Sequence, residues 1–111
     1  MFLIIGASSD VGNEIVKDLI KYDDVILTYR NKNNLKKIKA NKYKIFYEKL
    51  DLTDYQNIDK FLKKYNKLFK NIKFINLATA KSDKIIINLN TIDIQNVFKV
   101  NVLSNIYLCK K

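Results

Sequence analysis

Both glycines of the chain fall within seven residues, Gly6-Ala7-Ser8-Ser9-Asp10-Val11-Gly12. Apolar Phe2-Leu3-Ile4-Ile5 leads into this stretch, and an apolar-periodic segment leaves it, with Val11, Ile15, Val16, Leu19 and Ile20 on one helical face. Strand, glycine turn and helix start make a backbone that can approach a phosphate closely. Glycine has no Cβ to block the ligand, and the first N–H groups of a helix lack acceptors and lie at its positive end. The same residues also read as an ordinary turn, with Asp10 as N-cap and Asn13 three residues on. An Asp10 carboxylate would stabilise the helix start but repel a diphosphate bound there.

The remaining candidates stand at the ends of apolar runs or interrupt one. Arg30, the single arginine among twenty-one basic residues, follows Val25-Ile26-Leu27-Thr28-Tyr29. Its planar fork can grip a phosphoryl group in a way lysine cannot, although a surface arginine would look the same in sequence. Asp51 and Leu52 follow the run Lys44-Ile45-Phe46-Tyr47-Glu48. The Asp51 carboxylate can accept from an exocyclic amine, and with Asp54 it can equally favour the next helix start. Asn76 and Ala78 end the run Lys73-Phe74-Ile75-Asn76-Leu77. Asn101 breaks an apolar helical stripe formed by Ile94, Val97, Phe98 and Leu108, with Asn105 beside it. An amide there is either functional or a core group satisfied by backbone.

These residues need elements to hold them. The pattern predicts strands over 2–5, 25–29, 44–48 and 73–77. It predicts helices over about 11–22, from the turn Asn31–Asn34 to Lys39, from a Thr53/Gln56 capping box to Phe69, and from Thr91 to the end. On the third helix Ile58, Phe61, Leu62, Tyr65, Leu68 and Phe69 share one face, and Lys60, Lys63, Lys64 and Lys67 form a solvated one. The last helix is apolar almost all round, so burial on both sides is expected, by the sheet and by a second subunit or further chain. Strand–helix alternation argues a parallel sheet covered on both faces. Right-handed crossovers then give a doubly wound half-fold of strand order 3-2-1-4, with ligand beyond the carboxyl ends of strands one and four.

Length and composition bound the rest. One domain over residues 1–111 is expected, with 48% apolar residues to build a core. A formal charge of +10 raises nucleic acid as a partner, but the lysines are spread along the chain, and no nucleic-acid role is expected. The lone Cys109 forms no internal disulfide, which suits a cytoplasmic protein. Nothing resembles a membrane span, a leader or a metal-ligand cluster.

The glycine stretch resembles the Thr-Gly-x-x-x-Gly-x-Gly turn of the classical short-chain dehydrogenases/reductases, with Ile5 in place of Thr and Asp10 in place of the middle Gly. The resemblance runs through Leu50-Asp51-Leu52-Thr53-Asp54 and through Asn76-Leu77-Ala78-Thr79, where the family has Asn-Asn-Ala-Gly. It reaches Asn101, and it looks most like the 3-oxoacyl-carrier-protein reductases. It implies a Rossmann-type sheet and an NADP-dependent oxidoreductase that moves hydride between cofactor and a carbonyl or alcohol. Gly6, Ala7, Ser8, Ser9, Asp10, Val11, Gly12, Tyr29, Arg30, Asp51, Leu52, Asn76 and Ala78 would bind the cofactor. Tyr29 stands where NAD-binding members carry Asp, and Arg30 suits the 2′-phosphate of NADP, so NADP is expected over NAD. Asn101 would be the family's catalytic Asn. Leu77 and Thr79 depart from the family motif.

The resemblance covers the first half of a family member. The family also needs a Ser on strand five and a Tyr-x-x-x-Lys on the helix after it. Tyr107 to Lys111 spells Tyr-x-x-x-Lys, but on the helix of Asn101 and without that Ser it is not the expected pair. A truncated or fragmentary oxidoreductase, inactive alone, is the leading expectation, and a non-catalytic dinucleotide-binding or interaction module the alternative. A homo-oligomer formed through the last helix is also expected.

Overall fold

The computed structural model describes residues 1–32, 36–39, 42–84 and 86–110, the side chain of Phe69 excepted. The chain forms two compact units, Met1–Leu50 with Tyr65–Leu77, and Asp51–Lys64 with Ala78–Lys111.

The first unit is built on four parallel strands, β1 (Phe2–Ile5), β2 (Val25–Tyr29), β3 (Ile45–Lys49) and β4 (Lys73–Asn76), in the order β3-β2-β1-β4. Register pairs Leu3 with Ile26 and with Phe74, and Ile26 with Phe46. This is the Rossmann-type half-fold, with the winding reversed between β1 and β4. Helix α1 (Asp10–Leu19) joins β1 to β2. Its Ile15, Val16 and Leu19 pack on one sheet face with Phe2, Ile4, Val25 and Leu27. Leu3, Ile5 and Ile26 alternate onto the other face and are buried as well, as strands of a parallel sheet require. Asp23 and Asp24 end the α1 connection. The Asp23 carboxylate takes the terminal amine at 2.5 Å, and the Asp24 carboxylate accepts the Lys44 N–H at 2.8 Å.

Helix α2 covers Tyr55–Tyr65 and continues as a 3-10 turn over Asn66–Asn71. Ile58, Phe61, Leu62 and Tyr65 are buried, while Lys60, Lys63, Lys64 and Lys67 are exposed. The tighter 3-10 winding changes the phase of the stripe, so Leu68 is exposed and the expected helix to Phe69 stops short.

In the second unit, α3 (Thr91–Phe98), a π-turn (Lys99–Leu103) and α4 (Ser104–Cys109) form one helical run. Asn90 and Asp93 close its start with a capping box. Val100, Ser104 and Leu108 are buried, while Ile94, Phe98, Val102 and Ile106 are exposed. The buried stripe therefore differs from the one expected through Asn101. The π-turn adds a residue to one helical repeat and rotates the α4 side chains relative to those of α3.

Three local expectations need correction. The basic helix ending at Lys39 is absent over 36–39, which has no regular structure, and 33–35 lie outside the described residues. Ser9, not Asp10, caps α1, because its Oγ accepts the Gly12 N–H at 3.0 Å. The Thr53/Gln56 capping box does not form. Asp54 caps α2, accepting from the Gln56 and Asn57 N–H groups at 2.9 and 3.2 Å, while the Thr53 hydroxyl donates to Asp51.

Candidate functional site

In the first unit the glycine stretch is fastened to the neighbouring strand. Gly6 leaves β1 with φ 76°, in the left-handed region that favours glycine. Its N–H donates to the Thr28 hydroxyl at 3.3 Å, and the Ala7 N–H donates to the Thr28 carbonyl at 3.1 Å. Thr28 is thus a buried polar residue with a structural task. Asn13 is buried as well and donates from its side chain to the Ser9 carbonyl at 2.9 Å.

Gly12 is needed for a different reason. A Cβ there would lie 2.7 Å from the Cα and O of Ala7. The space a side chain would take is filled by the turn's own backbone, so this glycine allows helix to meet turn and not ligand to meet helix. Ala7 and Gly12 are buried, and Ser9, Asp10 and Val11 are exposed. Ser9 Oγ satisfies Gly12 and the Ser9 carbonyl satisfies Asn13. The N–H groups of Asp10 and Val11 have no acceptor within the helix, by helix geometry alone. An exposed helix start with two such donors suits a diphosphate.

At the end of β2, Tyr29 is half-buried and its carbonyl accepts the Leu50 N–H at 3.0 Å, which carries β3 pairing one residue further. Arg30 is exposed, and no ion pair or hydrogen bond ties it to the other described residues. Asp10 is not alone at its helix start. Its carboxylate accepts from the Lys36 ammonium at 2.8 Å, and that hydrogen bond holds its carboxyl below the usual carboxylate range while raising Lys36. Asn76 ends β4 opposite Ile5, and the Leu77 N–H continues the ladder to the Ile5 carbonyl at 2.8 Å. The structure therefore brings the Gly6–Gly12 turn, Tyr29, Arg30 and Asn76 to the carboxyl ends of adjacent strands.

The second unit holds the remaining candidates. One oxygen of Asp51 accepts from the Thr53 N–H and hydroxyl at 2.9 and 2.7 Å, and the Asp51 N–H donates to Asn57 at 3.0 Å. Leu52 is buried and Ala78 half-buried. Asn101 lies inside the π-turn. Its amide grips the backbone of Ala80, accepting the N–H at 2.8 Å and donating to the carbonyl at 2.7 Å, with the Thr79 hydroxyl at 3.4 Å. Its own carbonyl accepts from the Asn105 side chain at 2.8 Å. The Tyr107 ring stacks on Tyr55 at 4.6 Å, a packing role, and Lys111 lies outside the described residues.

The sequence matches the short chain dehydrogenase family over residues 1–111. The chain belongs to that family. Short chain dehydrogenases generally bind a nicotinamide dinucleotide and a substrate. Among solved structures, the chain is similar to the bulky-bulky ketone specific alcohol dehydrogenase of Comamonas testosteroni, at 19% identity and TM-score 0.84, over 98% of this chain and 46% of that one. A Serratia marcescens short-chain dehydrogenase/reductase mutant gives 21%, 0.83, 98% and 47%. A Burkholderia cenocepacia short chain dehydrogenase in complex with NADP gives 22%, 0.82, 98% and 47%. At these identities the likeness shows the fold. This short chain dehydrogenase sequence spans about half the length of the solved structures it matches. No curated protein matches it. No helix among its described residues is long and apolar enough to cross a membrane.

Proposed function

We propose that these 111 residues are the cofactor-binding half of an NADP-dependent short-chain oxidoreductase, one incomplete dinucleotide-binding domain. The observation that carries this reading is the Gly6–Gly12 turn, fastened to Thr28 and leaving an exposed helix start. The α1 start would hold the diphosphate through main-chain N–H groups. Arg30, exposed and without a partner among the described residues, would take the 2′-phosphate as a bidentate fork. Asp51 has one oxygen engaged with Thr53, and in this reading its carboxylate meets the adenine amine. The Leu52 backbone would support that adenine contact, and Asn76 and Ala78 would contact the cofactor as the matching residues of the family's Asn-Asn-Ala-Gly motif do. When bound, such a cofactor would supply hydride to a carbonyl or take it from an alcohol. The substrate, a second subunit on the last helix and a cytoplasmic setting belong to the same proposal.

A second reading, a non-catalytic dinucleotide-binding module, is favoured by one feature. The side-chain amide of Asn101, the expected catalytic residue, is engaged by Ala80 on both its donor and acceptor sides. Both readings require cofactor binding, which fluorescence titration measures. NADPH is expected to bind more tightly than NADH, and Arg30→Glu to reverse that order. Saturable binding of neither nucleotide by the wild-type chain sinks the proposal.

A further inference from the structure

Asp10 begins α1, and its side chain is 91% exposed at the point where a diphosphate would sit. A helix start carries roughly half a positive charge, so a full carboxylate on it leaves the start net negative. Lys36 corrects this. Its ammonium, 58% exposed, reaches the Asp10 carboxylate from 26 residues downstream, in the connection beyond Arg30. The other ion pairs of α1, Lys17 with Glu14 and Lys21 with Asp18, are local i,i+3 pairs on the helix surface. With Lys36 in place the start returns to about half a positive charge. Resting on the dinucleotide reading above, we propose that Lys36 is a positioning residue for the cofactor, acting through Asp10: it cancels that carboxylate so the α1 start can accept a diphosphate.

This role is distinct from that of Arg30. Neutralising Asp10 concerns the diphosphate, which NADPH and NADH share, whereas Arg30 concerns the 2′-phosphate that only NADPH carries. Lys36 should therefore leave the preference between the two nucleotides untouched and change the affinity for both.

The test is a double-mutant cycle on the full 111-residue chain, read as dissociation constants for NADPH and NADH at low ionic strength, with far-UV circular dichroism on each variant. Lys36→Gln is expected to weaken both nucleotides roughly two- to fivefold, the effect of one charge at an exposed helix start. In an Asp10→Asn background the same substitution should cost nothing, and Lys36→Arg should retain wild-type affinity. The loss should shrink as salt is added. An equal loss in both backgrounds would make Lys36 a direct phosphate ligand and overturn the proposal, as would no loss in either. If wild type binds neither nucleotide, the dinucleotide reading fails first and this inference falls with it. If Arg30→Glu reverses the preference but the cycle shows no coupling, only this inference falls.

Discussion

The turn after β1 and the π-turn in the last helix are both breaks in regular backbone, and they treat their polar groups in opposite ways. At the first, Thr28, Ser9 and Asn13 satisfy the groups facing inward, and the helix start facing solvent keeps its donors. At the second, Asn101 and Asn105 close on Ala80 and on the Asn101 carbonyl, so their side chains hold backbone instead of facing a ligand. A binding surface and a brace can thus be made from the same residue types. What separates them is whether the hydrogen bonds point away from the solvent-facing groups or consume them. The first region carries the proposed cofactor site, and the second is better suited to fixing the Ala78–Ala80 segment.

The largest effect expected from this contrast is at Gly12. Gly12→Ala places a Cβ 2.7 Å from backbone atoms of Ala7, which cannot swing aside as a side chain would. Helix propensity favours Ala by up to about 1 kcal/mol, yet the clash wins, and a net loss of about 3 kcal/mol is expected in urea unfolding. An unchanged midpoint would show that turn and helix do not meet at so close a distance.

Asn101→Ala comes next. It removes two short hydrogen bonds to Ala80 in a partly buried setting, and about 1–2 kcal/mol of stability should go with them. The sharper readout is hydrogen exchange, in which the Ala80 N–H should lose its protection. If that amide exchanges as before, the brace is not what protects it, and the contrast between the two regions weakens.

Much of this was legible in the sequence because it rests on period and punctuation. Four apolar runs gave four strands, and the order 3-2-1-4 came from parallel pairing and handed crossovers. Gly6 and Gly12 marked the turn, although the reason for Gly12 lies in packing against Ala7, which no local pattern reveals. The caps were misplaced at both α1 and α2 since Ser9 and Asp10, or Thr53 and Asp54, are adjacent residues of similar cap preference. Only the direction of the chain decides between them. The short basic helix expected to end at Lys39 is absent over 36–39, where local propensity alone is a weak guide. Lys36 and Thr28 could not be assigned roles because their partners lie 26 and 22 residues away. A signal for Thr28 did exist, a hydroxyl closing the apolar run Val25-Ile26-Leu27 just before the expected ligand edge.

Thr28 also supplies the smallest and most discriminating test. Thr28→Val keeps the shape of the side chain and removes the acceptor, leaving the Gly6 N–H without its partner. The bond is long at 3.3 Å and the Ala7 N–H keeps the Thr28 carbonyl, so a loss of about 1 kcal/mol is expected. Because the hydroxyl faces the turn from the strand side, the loss should appear in two places at once. The Gly6 amide should exchange faster, and nucleotide affinity should fall with no change in the NADPH-over-NADH preference. A stability loss with unaltered affinity would mean that fastening the turn does not shape the helix start. The open region would then owe its form to Gly6 and Gly12 alone.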